Sequence, residues 1–240
     1  MMFPVTVDAL PPGAAMCDAF VSWFCEAGGP GSGARLLNVG AGSGIGPCAP
    51  LVAGLFGDVV GVDPNPAVAS NPSLTDYWVG TIEDFARAYD GPPFDSACSI
   101  YVVEHVNDPV GFLSAVKQTL RLGSYFYSLT PNLYHYFALA ARLAALLGAE
   151  KALLHWLLER QFVDEYHHAT YYRLNSLRRV RRSAQAAGYT SLDVRYLDNP
   201  EILQPYFSKF LRKFPDRYSH WVHKYDFYSL FATMLYRLRT

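Results

Sequence analysis

A chain of 240 residues, 51% apolar and 15% aromatic, is long and apolar enough to bury one sizeable core, which excludes a disordered or low-complexity protein. Its net charge of −1 is unevenly spread: residues 1–159 hold 6 Lys and Arg against 14 Asp and Glu, a balance of −8, and residues 160–240 hold 14 against 7, a balance of +7. The acidic front half disfavours nucleic acid and suits a cationic cofactor, and the basic back third suits an anionic substrate or membrane surface; the plainer alternative is that the two parts attract each other or are merely solvated.

The opening MMFPVTVDAL lacks the basic-then-apolar pattern of a secretory leader. No uncharged apolar run reaches the ~18 residues of a spanning helix. Cys17, Cys25, Cys48 and Cys98 form no CxxC pair, so neither zinc nor a disulfide framework is expected, and a reducing cytoplasm is the default setting.

In chain order, Met16, Phe20, Trp23 and Phe24 recur at helical spacing and predict a helix over 14–27, ended by GGPGSG at 28–33. Short apolar runs then alternate with helical patterns. The runs are RLLNV (35–39), DVVGV (58–62), YWV (77–79), FDSACSI (94–100) and SYFYSLT (124–130); helices fall near 47–56, 65–70, 81–89 and 108–121. Asp108 and Pro109 supply start chemistry for the last of these. Such alternation predicts a parallel sheet with helices on both faces. After Pro131 the pattern changes. Residues 133–160 read as two helices broken near Gly148, followed by DEYHHATYYRLNS (164–176), a basic helix (177–187), a strand (189–197) and an aromatic-rich tail.

LLNVGAGSGIG places Gly40, Gly42 and Gly44 at a strand-to-turn boundary as GxGxG. Glycine there lets backbone approach a ligand closely and tolerates positive φ. The dinucleotide spacing GxGxxG would need glycine at 45 or 47, where Ile45 and Pro47 stand. Asp63 ends the second of these strands, 19 residues after Gly44, where a carboxylate can accept from both ribose hydroxyls; Pro64 frames the turn. Ile82 and Glu83 end the third run, an apolar and a polar residue suited to an adenine face and edge. Glu83 reads equally well as a carboxylate favoured at a helix start.

LLNVGAGSG, GVDPNP, GTIEDF, FDSACSIYVVEHVNDPVGFL and SLTPN stand in an order and spacing that resembles the class I S-adenosylmethionine (SAM)-dependent methyltransferases, closely over residues 35–132. YYRLNS, AGYTSLDV and DNPEIL look like bacterial enzymes of small-molecule and glycan-modifying type. The resemblance implies an α/β fold, a Rossmann-like seven-stranded methyltransferase sheet with an inserted helical lid. It implies SAM as cofactor and S-adenosyl-L-homocysteine as product. By the same resemblance Gly40, Gly42 and Gly44 line the methionine part, Asp63 holds ribose, Ile82 and Glu83 flank adenine, and Ile100 and Tyr101 cover the cofactor. The chain departs from the family before the fifth strand, where Arg121-Leu122-Gly123-Ser124 replaces a Gly-Gly turn.

Methyl transfer from a sulfonium needs chiefly alignment, and an oxygen acceptor also needs a base. Histidine is the natural candidate. His105, in VVEHV, stands at the mouth of the fourth strand, where it either meets substrate or fixes the loop; His167 and His168 stand in the segment over the sheet edge. His135, Tyr171 and Tyr172 are candidate acceptor contacts, and Trp156, Phe162 and Tyr166 are further aromatics of the same segment that serve as pocket or as core. Some relatives carry ExxEH in the loop after the fourth strand and bind a divalent cation. Here Tyr101 replaces the first carboxylate, leaving Glu104 and His105, too few ligands for a hard cation, so no metal is expected. The Asn-Pro-Pro-Tyr signature of amino-methylating enzymes is absent, with SIYV in its place. The Arg178, Arg179, Arg181 and Arg182 cluster is a phosphate contact or a solvated helix face.

These readings divide the chain into a SAM-binding core (1–130), a helical and aromatic lid (131–175) and a C-terminal part completing the sheet (176–240). They point to a cytoplasmic methyltransferase acting on a secondary-metabolite or sugar-like small molecule, with O-methylation slightly favoured and nucleic acid excluded as substrate. The alternatives are a non-catalytic SAM-binding partner subunit and a peripheral membrane enzyme acting on a lipid-linked substrate. A membrane surface is the less favoured partner.

Overall fold

β-Branched and aromatic runs become strands here because each finds a neighbouring strand, and the central ones, such as Arg35–Val39, are buried on both faces. The computed structural model describes residues 3–26, 30–31, 33–46, 48–146, 169–202 and 213–240. Its strands are β1 (Val5–Ala9), β2 (Arg35–Val39), β3 (Asp58–Asp63), β4 (Asp76–Val79), β5 (Phe94–Ile100), β6 (Leu120–Pro131), β7 (Ser191–Leu197) and β8 (Thr233–Arg239). They form one sheet in the order β1-β7-β8-β6-β5-β2-β3-β4, in which only β8 runs antiparallel to its neighbours β6 and β7. The order reverses between β2 and β5. Such a crevice, at the carboxyl ends of the strands, is where open α/β sheets bind ligands.

The helices are α1 (Met16–Glu26), α2 (Cys48–Ala53), α3 (Ile82–Ala88), α4 (Pro109–Thr119), α5 (Tyr136–Leu146), α6 (Leu177–Ala186) and α7 (Lys213–Lys224). Adjacent residues of β2 show why both faces need them: Leu36 packs with Phe20, Trp23 and Phe24 of α1, and Leu37 with Phe85 of α3 and Leu113 of α4. Leu36, Leu37 and Leu113 are fully buried, so truncating any of them to Ala would cost about 2–5 kcal/mol. At the start of α4 the Asp108 carboxylate accepts from the N–H groups of Val110 and Gly111 at 3.2 and 3.1 Å, satisfying two donors that have no partner inside the helix.

Several expectations are corrected. The sheet has eight strands, not seven. Val5–Ala9 pairs in parallel with β7, from Val5 opposite Leu192 to Ala9 opposite Tyr196. Three of its five side chains are exposed, so its place comes from backbone pairing with a distant strand and not from an apolar pattern. The helix expected near 65–70 is a 3₁₀ turn, Pro66–Ser70, capped by the Asn65 side chain. At 121–124 the chain stays extended but bulges: Phe94 pairs with Leu120, whereas Ser96 pairs with Tyr125. Gly123 takes φ 84° there.

The expectation of no disulfide is overturned, because Cys17 and Cys48 are bonded with their Cα atoms 4.9 Å apart. Packing of α1 on α2 brings the two together across 31 residues, a pairing that no local spacing reveals. Of the two helices expected over 133–160, α5 is the first; the second lies outside the described residues. No helix among the described residues is long and apolar enough to cross a membrane.

Candidate functional site

A cleft of about 860 Å³ opens at the carboxyl ends of β2, β3, β4 and β5, within the size range of small-molecule and cofactor sites. Gly40, Gly42, Gly44, Asp63, Pro64, Ile82, Ile100, Tyr101 and His105 all line it. The glycine loop is shaped by sterics. Gly40 has φ +74° and lies against Val102, so a Cβ there would collide with the Val102 side chain. Gly42 has φ +48°, and nothing lies within 4 Å of where its Cβ would be; that side of the loop faces open cleft, a cradle that a side chain would fill.

The loop is pinned from two sides. Asp63 accepts from the Gly42 N–H at 2.9 Å through one carboxylate oxygen and from the Asn65 N–H at 2.7 Å through the other. An ionised carboxylate has about four acceptor positions, so this geometry leaves capacity for two ribose hydroxyls. Asn71, 7% exposed, donates through its amide to the carbonyls of Ala41 and Gly42 at 3.0 and 3.3 Å. It clamps the loop from below, a role that its place in the polar run SNPS did not signal. The open cradle at Gly42, the acceptor capacity of Asp63 and the apolar lining of Val39, Val62, Ile82 and Ile100 fit an adenosyl cofactor.

The loop after β5 also lines the cleft, against the glycine loop. Tyr101 holds φ 55°, an uncommon conformation for a bulky residue and a form of strain that clusters at functional sites. Its hydroxyl lies 3.1 Å from the Met16 sulfur, and Met16 lines the cleft as well. Glu104, which the sequence reading did not single out as a base, is 6% exposed and also lines the cleft. Its carboxylate accepts from the Thr130 hydroxyl at 3.1 Å, and Thr130 in turn accepts from the Asn175 amide at 2.6 Å. Burial pushes the Glu104 carboxyl up to about 7; its own backbone N–H and Thr130 oppose the rise. The Glu104 backbone carbonyl accepts from the N–H groups of Tyr171 and Tyr172 at 2.7 and 3.0 Å, docking the segment after residue 168 onto this loop. His105 Nδ1 sits 3.1 Å from the Ala169 carbonyl; a carbonyl only accepts, which puts a proton on Nδ1 and holds the ring against the same segment.

Three expected site residues are not brought to the cleft. Glu83 lies in the first turn of α3, beside Ile82 but on a different face, and is not among the lining residues. His135 is 3% exposed. Its ring packs against Tyr136 and Tyr218 at 4.1 and 5.1 Å, and its Nδ1 accepts from the Phe137 N–H at 3.3 Å. Burial lowers it to about 3, so it is a neutral core residue. Tyr172, 9% exposed, packs with Leu133 and Ala138, while its neighbour Tyr171 lines the cleft. His167 and His168, like Trp156, Phe162 and Tyr166, lie outside the described residues.

Residues 17–193 match the family model of a methyltransferase domain. Among curated proteins, the chain is 38% identical to the ubiquinone biosynthesis O-methyltransferase of Cereibacter sphaeroides over 111 residues, 43% of each chain. It is 35% identical to that of Mesorhizobium japonicum over 136 residues, 53% of this chain and 51% of the relative. The matched stretch spans about half the length of these relatives. Among solved structures, the fold is similar to a SAM-dependent methyltransferase from Archaeoglobus fulgidus, with a TM-score of 0.58 and 13% identity over 94% of this chain and 95% of that one. It is also similar to phosphoethanolamine N-methyltransferase 2 of Haemonchus contortus, solved with phosphomonomethylethanolamine and S-adenosylhomocysteine. There the TM-score is 0.59 and the identity 17%, over 96% of this chain and 53% of that one. With the sheet, the glycine cradle and the family match in agreement, the chain belongs to the class I SAM-dependent methyltransferases.

Proposed function

We propose that the chain transfers the methyl group of SAM to an oxygen of a small-molecule acceptor. The observation that carries this reading is that one cleft is lined by two kinds of residue. Gly40, Gly42, Asp63 and Ile82 suit an adenosyl cofactor, and Glu104, His105 and Tyr171 bring polar groups suited to an acceptor. The identity to O-methyltransferases over about half their length supports oxygen as the methylated atom.

When bound, SAM supplies a methyl on a positively charged sulfur whose leaving form is a neutral thioether. The glycine loop and Asp63 would hold the cofactor, and Tyr101, in contact with Met16, would cover it. The chain's part would be to hold an acceptor hydroxyl in line with the methyl, since positioning contributes most to such a reaction. A hydroxyl acceptor would have to give up its proton to a base of the chain as it takes the methyl group and the neutral thioether leaves. Glu104 is our assignment for that base. A carboxyl pushed up to about 7 is half deprotonated near neutrality and still basic enough to accept a proton. His105, held through Nδ1 by Ala169, is assigned to positioning. The testing experiment is a screen of hydroxylated small molecules with SAM, read by a mass gain of one methylene. Binding of SAM without turnover of any acceptor, in a chain that also fails to form S-adenosylhomocysteine, would favour the non-catalytic partner reading.

A peripheral membrane enzyme acting on a lipid-linked substrate has one observation in its favour. α7 and the turn after it expose Phe214, Trp221, Tyr225 and Phe227 beside Lys213, Arg217 and Lys224, and exposed aromatics flanked by cations suit a membrane interface. Co-sedimentation with anionic vesicles separates this reading from a soluble acceptor.

A further inference from the structure

The Cys17–Cys48 disulfide lies in the wall of the cofactor cleft. Cys48 is the first residue of α2 and lines the cleft directly after the glycine loop. Cys17 is the second residue of α1, next to Met16, which lines the cleft and meets the Tyr101 hydroxyl. The loop's near end is fixed by the bond from the Gly40 N–H to the Val62 carbonyl at 2.7 Å, and its middle by Asp63 and Asn71. Beyond that clamp come Ile45 and Gly46, both exposed, and then the crosslink. The disulfide is therefore the covalent anchor of the loop's far end, and it ties that end to the helix that carries Met16.

The geometry points to a reversible redox site coupled to cofactor binding: with Cys17 and Cys48 joined, the chain holds SAM tightly, and with the bond reduced it holds SAM weakly. The physical reason is preorganisation. Reduction releases the start of α1 and the far end of a glycine-rich loop from each other, so binding must then order both. Cys48 is 1% exposed and Cys17 is more accessible, so exchange begins at Cys17. A dithiol reductant's thiolate attacks the Cys17 sulfur, the Cys17–Cys48 bond breaks, and the Cys48 thiolate leaves and takes a proton. The second thiol of the reductant then displaces Cys17, which also takes a proton; two electrons pass from the dithiol, which ends as a disulfide. The other two cysteines do not compete, since Cys98 is buried and Cys25 lies further along α1.

Coupling of this kind is reciprocal: if oxidation tightens SAM, bound SAM must make the disulfide harder to reduce. The inference rests on SAM being the cofactor. Calorimetry on the oxidised chain is therefore done first, and failure to bind there counts against the cofactor and not against the coupling. The chain is next equilibrated in mixtures of reduced and oxidised dithiothreitol, with and without saturating SAM. Free thiols are counted by alkylation and mass. Oxidised protein should bind SAM at least tenfold more tightly than reduced protein. Saturating SAM should lower the midpoint potential by about 30 mV for each tenfold difference. Cys17→Ser with Cys48→Ser should match the reduced wild type whatever the reductant, and Cys25→Ser should match the wild type. Where the double variant fails to fold, the reduced wild type, followed by circular dichroism, serves in its place. Equal affinity in the two states with an unmoved midpoint overturns the proposal. So does purified protein in which both cysteines alkylate without reductant, or global unfolding on reduction, which would make the bond a general staple.

Discussion

Thr130, the penultimate residue of β6, donates its hydroxyl to the buried carboxylate of Glu104 at 3.1 Å. The strand thereby sets both the orientation of this buried acid, a residue of the cleft lining, and the ease with which it ionises. Because Thr130 accepts the Asn175 amide at 2.6 Å, its single proton is committed to Glu104. Glu104→Gln should lower kcat by about 10²–10⁴-fold, the usual worth of a positioned base, with SAM affinity nearly unchanged. Thr130→Val removes a hydrogen bond to the charged form, so the acidic limb of the rate profile should move to higher pH. A Gln variant with normal kcat, or a Val variant with an unshifted profile, would remove Glu104 from the mechanism.

The same carboxyl has a consequence for stability. Its ordinary value is 4.5 and burial raises it to about 7 in the folded chain. The folded state therefore binds the proton more tightly, and its contribution is fully present below pH 4.5 and lost as pH rises through about 7. At roughly 1.4 kcal/mol per unit the loss is about 3 kcal/mol. His135 works in the opposite sense: lowered from 6.5 to about 3, it penalises the folded state as pH falls below 6.5. The measurement is the difference between wild type and Glu104→Gln in urea unfolding at pH 5 and pH 8, in which the His135 effect cancels. A difference independent of pH would contradict the assignment.

Asp63 carries the cofactor's ribose in this reading while accepting from the N–H groups of Gly42 and Asn65. Asp63→Ala should weaken SAM binding by at least ~1–3 kcal/mol, the cost of losing charged hydrogen bonds. Calorimetry on the folded variant decides; unchanged affinity would mean that the ribose lies elsewhere.

Asn71 never touches the acceptor in this arrangement, yet it joins the glycine loop to the turn after β3 through Ala41 and Gly42. Asn71→Ala leaves two carbonyls without that donor and should weaken SAM binding about 10-fold or more. The Michaelis constant for the acceptor should stay within about twofold. An equal loss for both ligands would indicate a general fold defect.

Transfer should persist in the presence of a strong chelator. Tyr101 stands where metal-using relatives place a carboxylate, and among the described residues no three His, Cys, Asp or Glu side chains converge. Turnover lost to chelator and restored by a divalent cation would show that a ligand set forms with the acceptor bound.

Local spacing is enough to read the chain within single strand-turn-helix units. Gly40, Gly42 and Gly44 follow β2, Asp63 ends β3, and Ile82 opens α3 after β4. In each case the residue's place at a strand's carboxyl end follows from nearby spacing, because a parallel sheet aligns all those ends on one edge. The cap of α4 at Asp108 was legible for the same reason, since a helix start is a matter of a few adjacent residues. The rest depends on contacts made across long stretches of chain. β1 is mostly exposed and owes its place to hydrogen bonds with β7, nearly the whole chain away. Cys17 and Cys48 meet because two helices pack, not because of their spacing. His135 and Tyr172 were polar side chains in a promising segment, and packing buried both, whereas the same packing turned Tyr171 and Glu104 to the cleft. Which way a side chain faces after Pro131 depends on neighbours contributed by β6, α7 and β8, and a one-dimensional pattern holds no information about contacts made across such distances.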